Sequence, residues 1–357
     1  MNPMKNRKVT ISRIAEAVQV APSTVSRALN DDPRISAATR EKIRFVSQEM
    51  GYTPAISLKG AESKNRRIIG LLTNDLSAFY SSLYTSIQQA AEENGYWILQ
   101  ACTEDDAERS RFLTESMLDL GVAGIIFGSC KMVDPLVEEL IDSGGPVVLV
   151  NRRMEIDKCD SIRIDSSYGA YLLVHHLINI GYRRIAIITA SLDYSVCADR
   201  YGAFLRAMAE KDLSVDRRLV RHGRLFTREA GYQQTRKLMV SESPPEAIFC
   251  CDEKLALGCM IALQELHLRV PQDIAVVSFD DADTELMSYL QLTTASFSVR
   301  EMGRLAVKAM IERIEGSRKP PRIAVLQPKL AIRQSCGLYL RAREFQPGAV
   351  HPRPAAT

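Results

Sequence analysis

Residues 21–30, APSTVSRALN, put a proline, several hydroxyl or amide side chains and one arginine into ten positions ahead of any long apolar run. On a helix starting at Pro22, the side chains of Val25, Ala28 and Leu29 fall on one side. Pro22, Ser23, Ser26, Arg27 and Asn30 then face outward. A proline in the first helical turn sacrifices no hydrogen bond, because that amide has no intrahelical partner anyway. A face of small hydroxyls with one arginine fits the major groove of duplex DNA, where small side chains allow close approach and arginine donates to both O6 and N7 of guanine. Thr24, Ser26 and Asn30 are suited to phosphate, contacts that set register without reading bases. The plain alternative is a solvated polar helix.

The neighbouring segments favour the DNA reading. Upstream, Thr10 can cap a helix whose apolar positions are Ile11, Ile14, Ala15 and Val18, the spacing of one helical face. Downstream, Ser36 can cap a third helix carrying Ile43, Val46 and Met50, which Gly51 can end. Two helices across a tight turn of three or four residues, supported by a third, make a helix-turn-helix unit. Residues 1–67 carry 13 Lys/Arg against 6 Asp/Glu, whereas residues 68–357 carry 33 against 37. The positive charge is therefore concentrated at one end, as an anionic partner such as nucleic acid requires.

Beyond residue 67 the period changes. RIIGLLT (67–73), WILQA (97–101), GIIFG (124–128), PVVLVN (146–151), IAIIT (185–189), AIFCC (247–251) and IAVVSF (274–279) alternate with amphipathic helical segments. Continuous apolar strands between helices imply a parallel sheet covered on both faces. So many over about 270 residues predict two α/β subdomains rather than one sheet. The stretch 53–67, TPAISLKGAESKNRR, is polar, basic and broken by Pro54 and Gly60, and reads as a linker. The expected organisation is a DNA-binding headpiece over 1–52, a hinge over 53–67, a two-lobe core over 68–340 and a disordered tail over 341–357.

The run TISRIAEAVQVAPSTVSRALNDDPRISAATREKIRFVSQEMGYTP resembles the DNA-binding headpiece of the lactose-repressor/galactose-repressor (LacI/GalR) family. That family is marked by a TVSR recognition helix, an LN turn, a third helix with a TR pair and a GYxP exit. GYRRIAII (181–188), RYGAF (200–204), AIFCCDEKLALG (247–258), LRVPQDIAVVSFDD (268–281), LTTASF (292–297) and LAIRQSC (330–336) follow in the order the family shows, so the resemblance spans nearly the whole chain. It implies an all-α helix-turn-helix headpiece joined to two doubly wound parallel-sheet subdomains of the periplasmic-binding-protein-like type. It also implies a homodimer on near-palindromic double-stranded operator DNA, one recognition helix per half-site, with operator affinity set by a small metabolite, a sugar or sugar derivative, or else a nucleobase.

By the same resemblance Pro22 and Ser23 take the variable base-reading positions, Arg27 the common one, and Arg34 approaches the DNA. Three departures stand out. The turn glycine is replaced by Gln19 and the serine cap by Ala21, which predicts a strained turn and a weaker cap. The leucine that wedges the minor groove in the family is replaced by Ala61, too small to wedge. Leu58, one turn earlier, is then the candidate wedge, and Lys59 reaches the minor groove or phosphates.

In open α/β folds, ligands bind beyond the carboxyl ends of the strands. That singles out Asn74, Asp75, Ser129, Asn151, Arg152, Asp165, Asp252, Asp280 and Asp281, with Asp252 read mainly as a helix cap. The resemblance points to Arg200 and Asp280 as a charged fork and an acceptor, Tyr80 and Phe226 as aromatic walls, and Asn151 by position. It also points to Cys251, which replaces the ligand-contacting asparagine of the family and so argues for an effector unlike the commonest sugars. Tyr168 is placed near the pocket, either stacked there or in the core.

The chain shows no GxGxxG, GxxxxGK[ST], GxSxG or HExxH motif, and its five histidines have no metal-ligand spacing. Of His175 and His176, one is expected in the core and one on the surface. No enzyme activity, cofactor or metal is expected. Eight scattered cysteines without CxxC spacing read as free thiols of a reducing compartment. With no apolar run near the length of a membrane span and no signal-like start, the expectation is a cytoplasmic protein without membrane contact. The C-terminal residues sustain no leucine heptad, which predicts a dimer rather than a tetramer.

Overall fold

The computed structural model describes residues 10–29, 32–50, 52, 67–155, 157–280, 284–317 and 320–340. It divides into two compact units, Met1–Ile56 and Ser57–Thr357. Asn30, Gly51, Leu58, Lys59, Ala61, Asp281 and the tail 341–357 lie outside the described residues.

The first unit contains three helices: α1 (Ile11–Val18), α2 (Pro22–Leu29) and α3 (Ala37–Glu49). Their core is Ile14, Ala15, Val18, Val25, Ala28 and Ile43, with Leu29, Val46 and Met50 packed at its edge. Ala28 is thus deeper than Leu29, and Ser47 is buried beside Ile43, its hydroxyl donating to the Ile43 carbonyl at 2.7 Å. Thr10 caps α1 by accepting from the Arg13 amide, and Ser36 caps α3 by accepting from the Thr39 amide at 3.2 Å. The turn between α1 and α2 is closed by Gln19 in the left-handed region, φ 59° and ψ 47°. Glycine takes that conformation without steric cost, so the expected strain falls on this glutamine.

The second unit holds two sheets of identical winding. The first runs in the order β2-β1-β3-β4-β5-β11, all parallel, where β1 is Ile68–Thr73, β2 Trp97–Cys102, β3 Gly124–Phe127, β4 Val147–Val150, β5 Asp160–Ile164 and β11 Ile323–Leu326. The second runs β7-β6-β8-β9-β10-β12, with β6 Ile185–Thr189, β7 Val220–His222, β8 Ala247–Cys250, β9 Ala275–Phe279, β10 Thr293–Ser296 and β12 Lys329–Ala331; only β12 is antiparallel. The seven apolar runs become β1, β2, β3, β4, β6, β8 and β9. Five strands did not show in the pattern, because their residues are polar or lie at sheet edges. β5 opens with the fully buried Asp160, ion-paired to Arg313 at 2.8 Å, and β10 buries Thr293 and Thr294.

The chain passes between the lobes three times: after β5 into helix α7 (Ser166–Asn179), between β10 and helix α12 (Val299–Ile314), and between β11 and β12. Such a multiple crossing lets two rigid lobes hinge about a shared cleft. Within the second lobe, α9 (Arg228–Met239) lies almost in backbone contact with α10 (Glu253–Glu265). A Cβ on Gly258 would come within 1.9 Å of the Arg228 carbonyl oxygen, so only glycine fits there.

Candidate DNA-reading face and effector cleft

On α2 the structure exposes Pro22, Ser23 and Arg27 and leaves Thr24 and Ser26 half-buried. All five belong to one short helix, with the apolar positions Val25 and Ala28 turned into the core. Ala21 contributes no side-chain cap; its carbonyl accepts from the amides of Thr24 and Val25 at 2.9 and 3.3 Å. Arg34 is exposed, and its guanidinium grips Asp32 through Nε and Nη2 at 2.6 to 3.2 Å. That grip holds the Asp32 carboxyl at about 2, well below its ordinary value. Arg34 therefore reaches a phosphate only alongside or in place of Asp32.

In the two-lobe unit, a narrow cleft lies at the carboxyl ends of both sheets. The first lobe contributes Asn74 after β1, Tyr80 from helix α4 (Ala78–Glu93), and Asn151 and Arg152 after β4. The second contributes Arg200 from helix α8 (Ser195–Ala209), Phe226, Asp252, Lys254 and Asp280. Each lobe reverses its strand order between its first and third strands, the switch point where α/β folds bind ligands. Asn151 and Asp280, directly after β4 and β9, hold φ of 56° and 73°, and the adjacent Glu104 and Asp105 hold 55° and 57°. Left-handed backbone at non-glycine residues is costly and gathers where side chains must be aimed.

Arg200 is 1% exposed. Its Nη1 donates to the Cys251 carbonyl, its Nη2 stands 3.4 Å from Asp280 Oδ1, and its guanidinium lies 3.6 Å over the Phe279 ring. Burial pushes the Asp280 carboxyl up to about 6; Arg200 opposes that shift and Asp252 adds to it. Tyr80 donates to the Gly128 carbonyl at 3.1 Å and accepts from Arg152 Nη2 at 3.2 Å, and burial raises its phenol far above the ordinary value. Tyr194 and Phe226 stand side by side, ring centres 5.7 Å apart, with Arg152 facing both.

Of the sequence-derived candidates, Tyr80, Asn151, Arg200, Phe226 and Asp280 meet at this cleft. Cys251 does not line it. Its side chain is fully buried behind Arg200, burial raises its thiol, and its carbonyl alone serves the site. Tyr168 neither stacks in the cleft nor joins the core. It sits 43% exposed in the first turn of α7, its amide donating to the capping Asp165. Asp252 caps α10 through the amides of Lys254 and Leu255 and also lines the cleft. His175 and His176 are both half-buried, His175 stacked on Tyr171 and His176 3.3 Å from Cys336 Sγ.

Arg152, a sequence candidate only by its place after a strand, lines the cleft; Lys254 in the cleft and Tyr194 beside it carry no sequence signal. Lys254 reaches across the lobes to Asp75 at 2.6 Å, and Tyr194 donates to Asp105 at 2.7 Å. Nothing in a lone lysine or tyrosine announces a partner 179 or 89 positions away.

Among the described residues no group of three or more His, Cys, Asp or Glu side chains could hold a metal ion, and no helix is long and apolar enough to cross a membrane. All eight cysteines are free, and seven are buried.

Comparison with known proteins agrees with this architecture. Residues 10–55 match the bacterial regulatory proteins of the lacI family, and residues 174–336 match the periplasmic binding protein-like domain. The ribose operon repressor of Haemophilus influenzae is 30% identical over 331 residues, covering 91% of this chain and 98% of its own length. The HTH-type transcriptional repressor PurR of Aliivibrio salmonicida is 26% identical, covering 91% and 98%. A solved complex of the transcriptional regulator CelR with cellobiose has 27% identity and a TM-score of 0.70, covering 92% of this chain and all of that one. A two-sheet core with its cleft at the switch points, a three-helix headpiece and these relatives together lead to one assignment: the chain belongs to the lacI family of bacterial regulatory proteins.

Proposed function

We propose that this chain is a transcriptional repressor that acts as a cytoplasmic homodimer on a near-palindromic operator and is controlled by a polyhydroxylated metabolite bound between its lobes. Residues 1–52 read the DNA, with Arg27, Pro22 and Ser23 toward base edges and Thr24, Ser26, Asn30 and Arg34 toward the backbone. Residues 53–67 act as the hinge, with Leu58 and Lys59 directed to the minor groove.

The observation that carries the effector reading is the buried Arg200 fork beside Asp280, with Asn74 Oδ1, Asn151 Oδ1 and Arg200 Nε left without hydrogen-bond partners around the same cleft. Buried polar atoms are ordinarily paired, so a cleft lined with unpaired donors and acceptors matches a ligand bearing several hydroxyls. A nucleobase is the second reading. Its support is Phe226, an aromatic wall of the cleft, and the PurR relative. A ligand that prefers one lobe arrangement must shift whatever else that arrangement controls, here the operator affinity.

The test begins by selecting bound sequences from random duplex DNA with the full chain, then repeating the binding with Arg27→Ala. The expected result is a two-fold symmetric consensus, with Arg27→Ala losing about 1–3 kcal/mol of discrimination at one base pair per half-site. A protein without preference among duplex sequences would end this reading.

A further inference from the structure

Arg152 is 5% exposed and lies against the cleft, yet its guanidinium meets only neutral groups. Nη1 donates to the Asn151 carbonyl at 2.8 Å and Nη2 to the Tyr80 hydroxyl at 3.2 Å. Nε has no partner, and the ring centres of Tyr194 and Phe226 stand 5.7 and 5.9 Å from its carbon. Tyr80 is no counter-ion, since its phenol is held neutral by burial.

The other charges lining the cleft are already engaged. Lys254 pairs with Asp75, Arg200 with Asp280, and Asp252 is spent on the amides that begin α10. Next along the chain, Arg153 pairs with Asp199 at 2.6 Å. Asp105 accepts from the Tyr194 hydroxyl and acts on Arg152 only from beyond ion-pair distance. Among the described residues Arg152 is thus a buried cation with no carboxylate at ion-pair distance; Asp105 and Asp280 act on it only from farther away, whereas buried charges are ordinarily paired at contact.

We infer that Arg152 is the anchor for an oxyanion on the effector, which is therefore an anionic polyol, a sugar acid or a sugar phosphate, rather than a neutral sugar or a nucleobase. This rests on the proposed role of the cleft as the effector site and narrows its ligand. The free Nε lies on the same planar fork as the two Nη groups, so one edge of the guanidinium can offer Nε–H and an Nη–H to two oxygens at once, the geometry of arginine–carboxylate and arginine–phosphate pairs. Hydroxyls at the far end of the ligand would then meet Arg200, Asp280, Asn74 and Asn151, which line the same cleft.

The test is calorimetric titration and thermal melting of the full-length protein with D-gluconate, D-galacturonate, D-glucose 6-phosphate, D-glucose, D-galactose and hypoxanthine, on wild type and on Arg152→Met. At least one anionic compound is expected to bind about 100-fold more tightly than its neutral counterpart, and Arg152→Met is expected to abolish that preference, as loss of one partner from a buried charge pair does. Gluconate or galacturonate as the tight binder identifies a carboxylate, and glucose 6-phosphate a phosphate. Melting without added ligand checks that Arg152→Met is folded, so that a lost anion preference is read on a folded protein. Equal binding of neutral and anionic compounds, binding of none of the anions, or an anion preference that survives in Arg152→Met would overturn the inference. If a neutral compound binds and still shifts operator affinity, the regulator reading stands and only the anionic effector falls.

Discussion

Lys254 Nζ, on the second lobe, stands 2.6 Å from Asp75 Oδ2, on the first, and joins the two lobes at the cleft. Burial alone would raise the Asp75 carboxyl, but hydrogen bonds from Lys254 and Ser77, with the lysine charge, outweigh it and hold the carboxyl below its ordinary value. A depressed carboxylate stabilises above its unfolded pKa and loses that stabilisation as pH falls through its folded value. The bridge is therefore a latch between lobes that acid loosens.

Because both partners are a fifth to a third exposed, the latch is worth about 1 kcal/mol or less. In a double-mutant cycle on the unfolding of the core, Asp75→Asn and Lys254→Met should show positive coupling of that size at pH 7. The coupling should shrink in acid. Strictly additive single substitutions at pH 7 would mean that the two side chains do not hold the lobes together.

Asp280 works in the opposite sense. Its carboxyl is raised from 3.8 to about 6, so folding makes it easier to protonate than in the unfolded chain, although at neutral pH it remains mostly ionised beside Arg200. The stabilisation linked to this shift is complete below about pH 4 and is lost as pH rises through about 6. Denaturant unfolding at pH 4.5 and pH 7 should show this loss in wild type but not in Asp280→Asn. An identical pH dependence in the two proteins would mean that the carboxyl titrates as in an unfolded chain.

Gln19 holds φ 59° at the turn between α1 and α2. Replacing it with glycine removes the steric cost of that conformation at the expense of a freer unfolded chain, a net gain of about 0.5–1 kcal/mol. Hydrogen exchange at the Val20 amide, which donates to the Ala15 carbonyl at 3.0 Å, should slow by the corresponding factor in Gln19→Gly. Faster exchange would show that the glutamine side chain, rather than the backbone, stabilises the turn.

Sequence reasoning succeeded where one physical pattern dominates. The apolar runs that became β1, β3, β4, β6, β8 and β9 are buried almost throughout, and a run of that kind has few other fates. It failed at β5 and β10, where Asp160, Thr293 and Thr294 are buried because particular partners satisfy them, and those partners lie far along the chain. The cleft divides the same way. Arg200 and Asp280 stand in a recognisable order after strands and within RYGAF, whereas Arg152 looks like any arginine at a strand end until its burial and lack of a counter-ion are known. Cys251 was placed at the ligand by its position, yet the backbone turns its thiol into the core and only its carbonyl toward Arg200.

The central claim is that one chain couples a DNA-reading headpiece to a metabolite cleft, and reciprocity tests it most directly. With a compound shown to bind the cleft, operator affinity is measured with and without saturating compound, and compound affinity with and without saturating operator. The account predicts equal factors in the two directions, at least about fivefold, and their loss in Arg200→Met while operator recognition in the absence of compound is kept. An operator affinity that stays the same at saturating compound would contradict it.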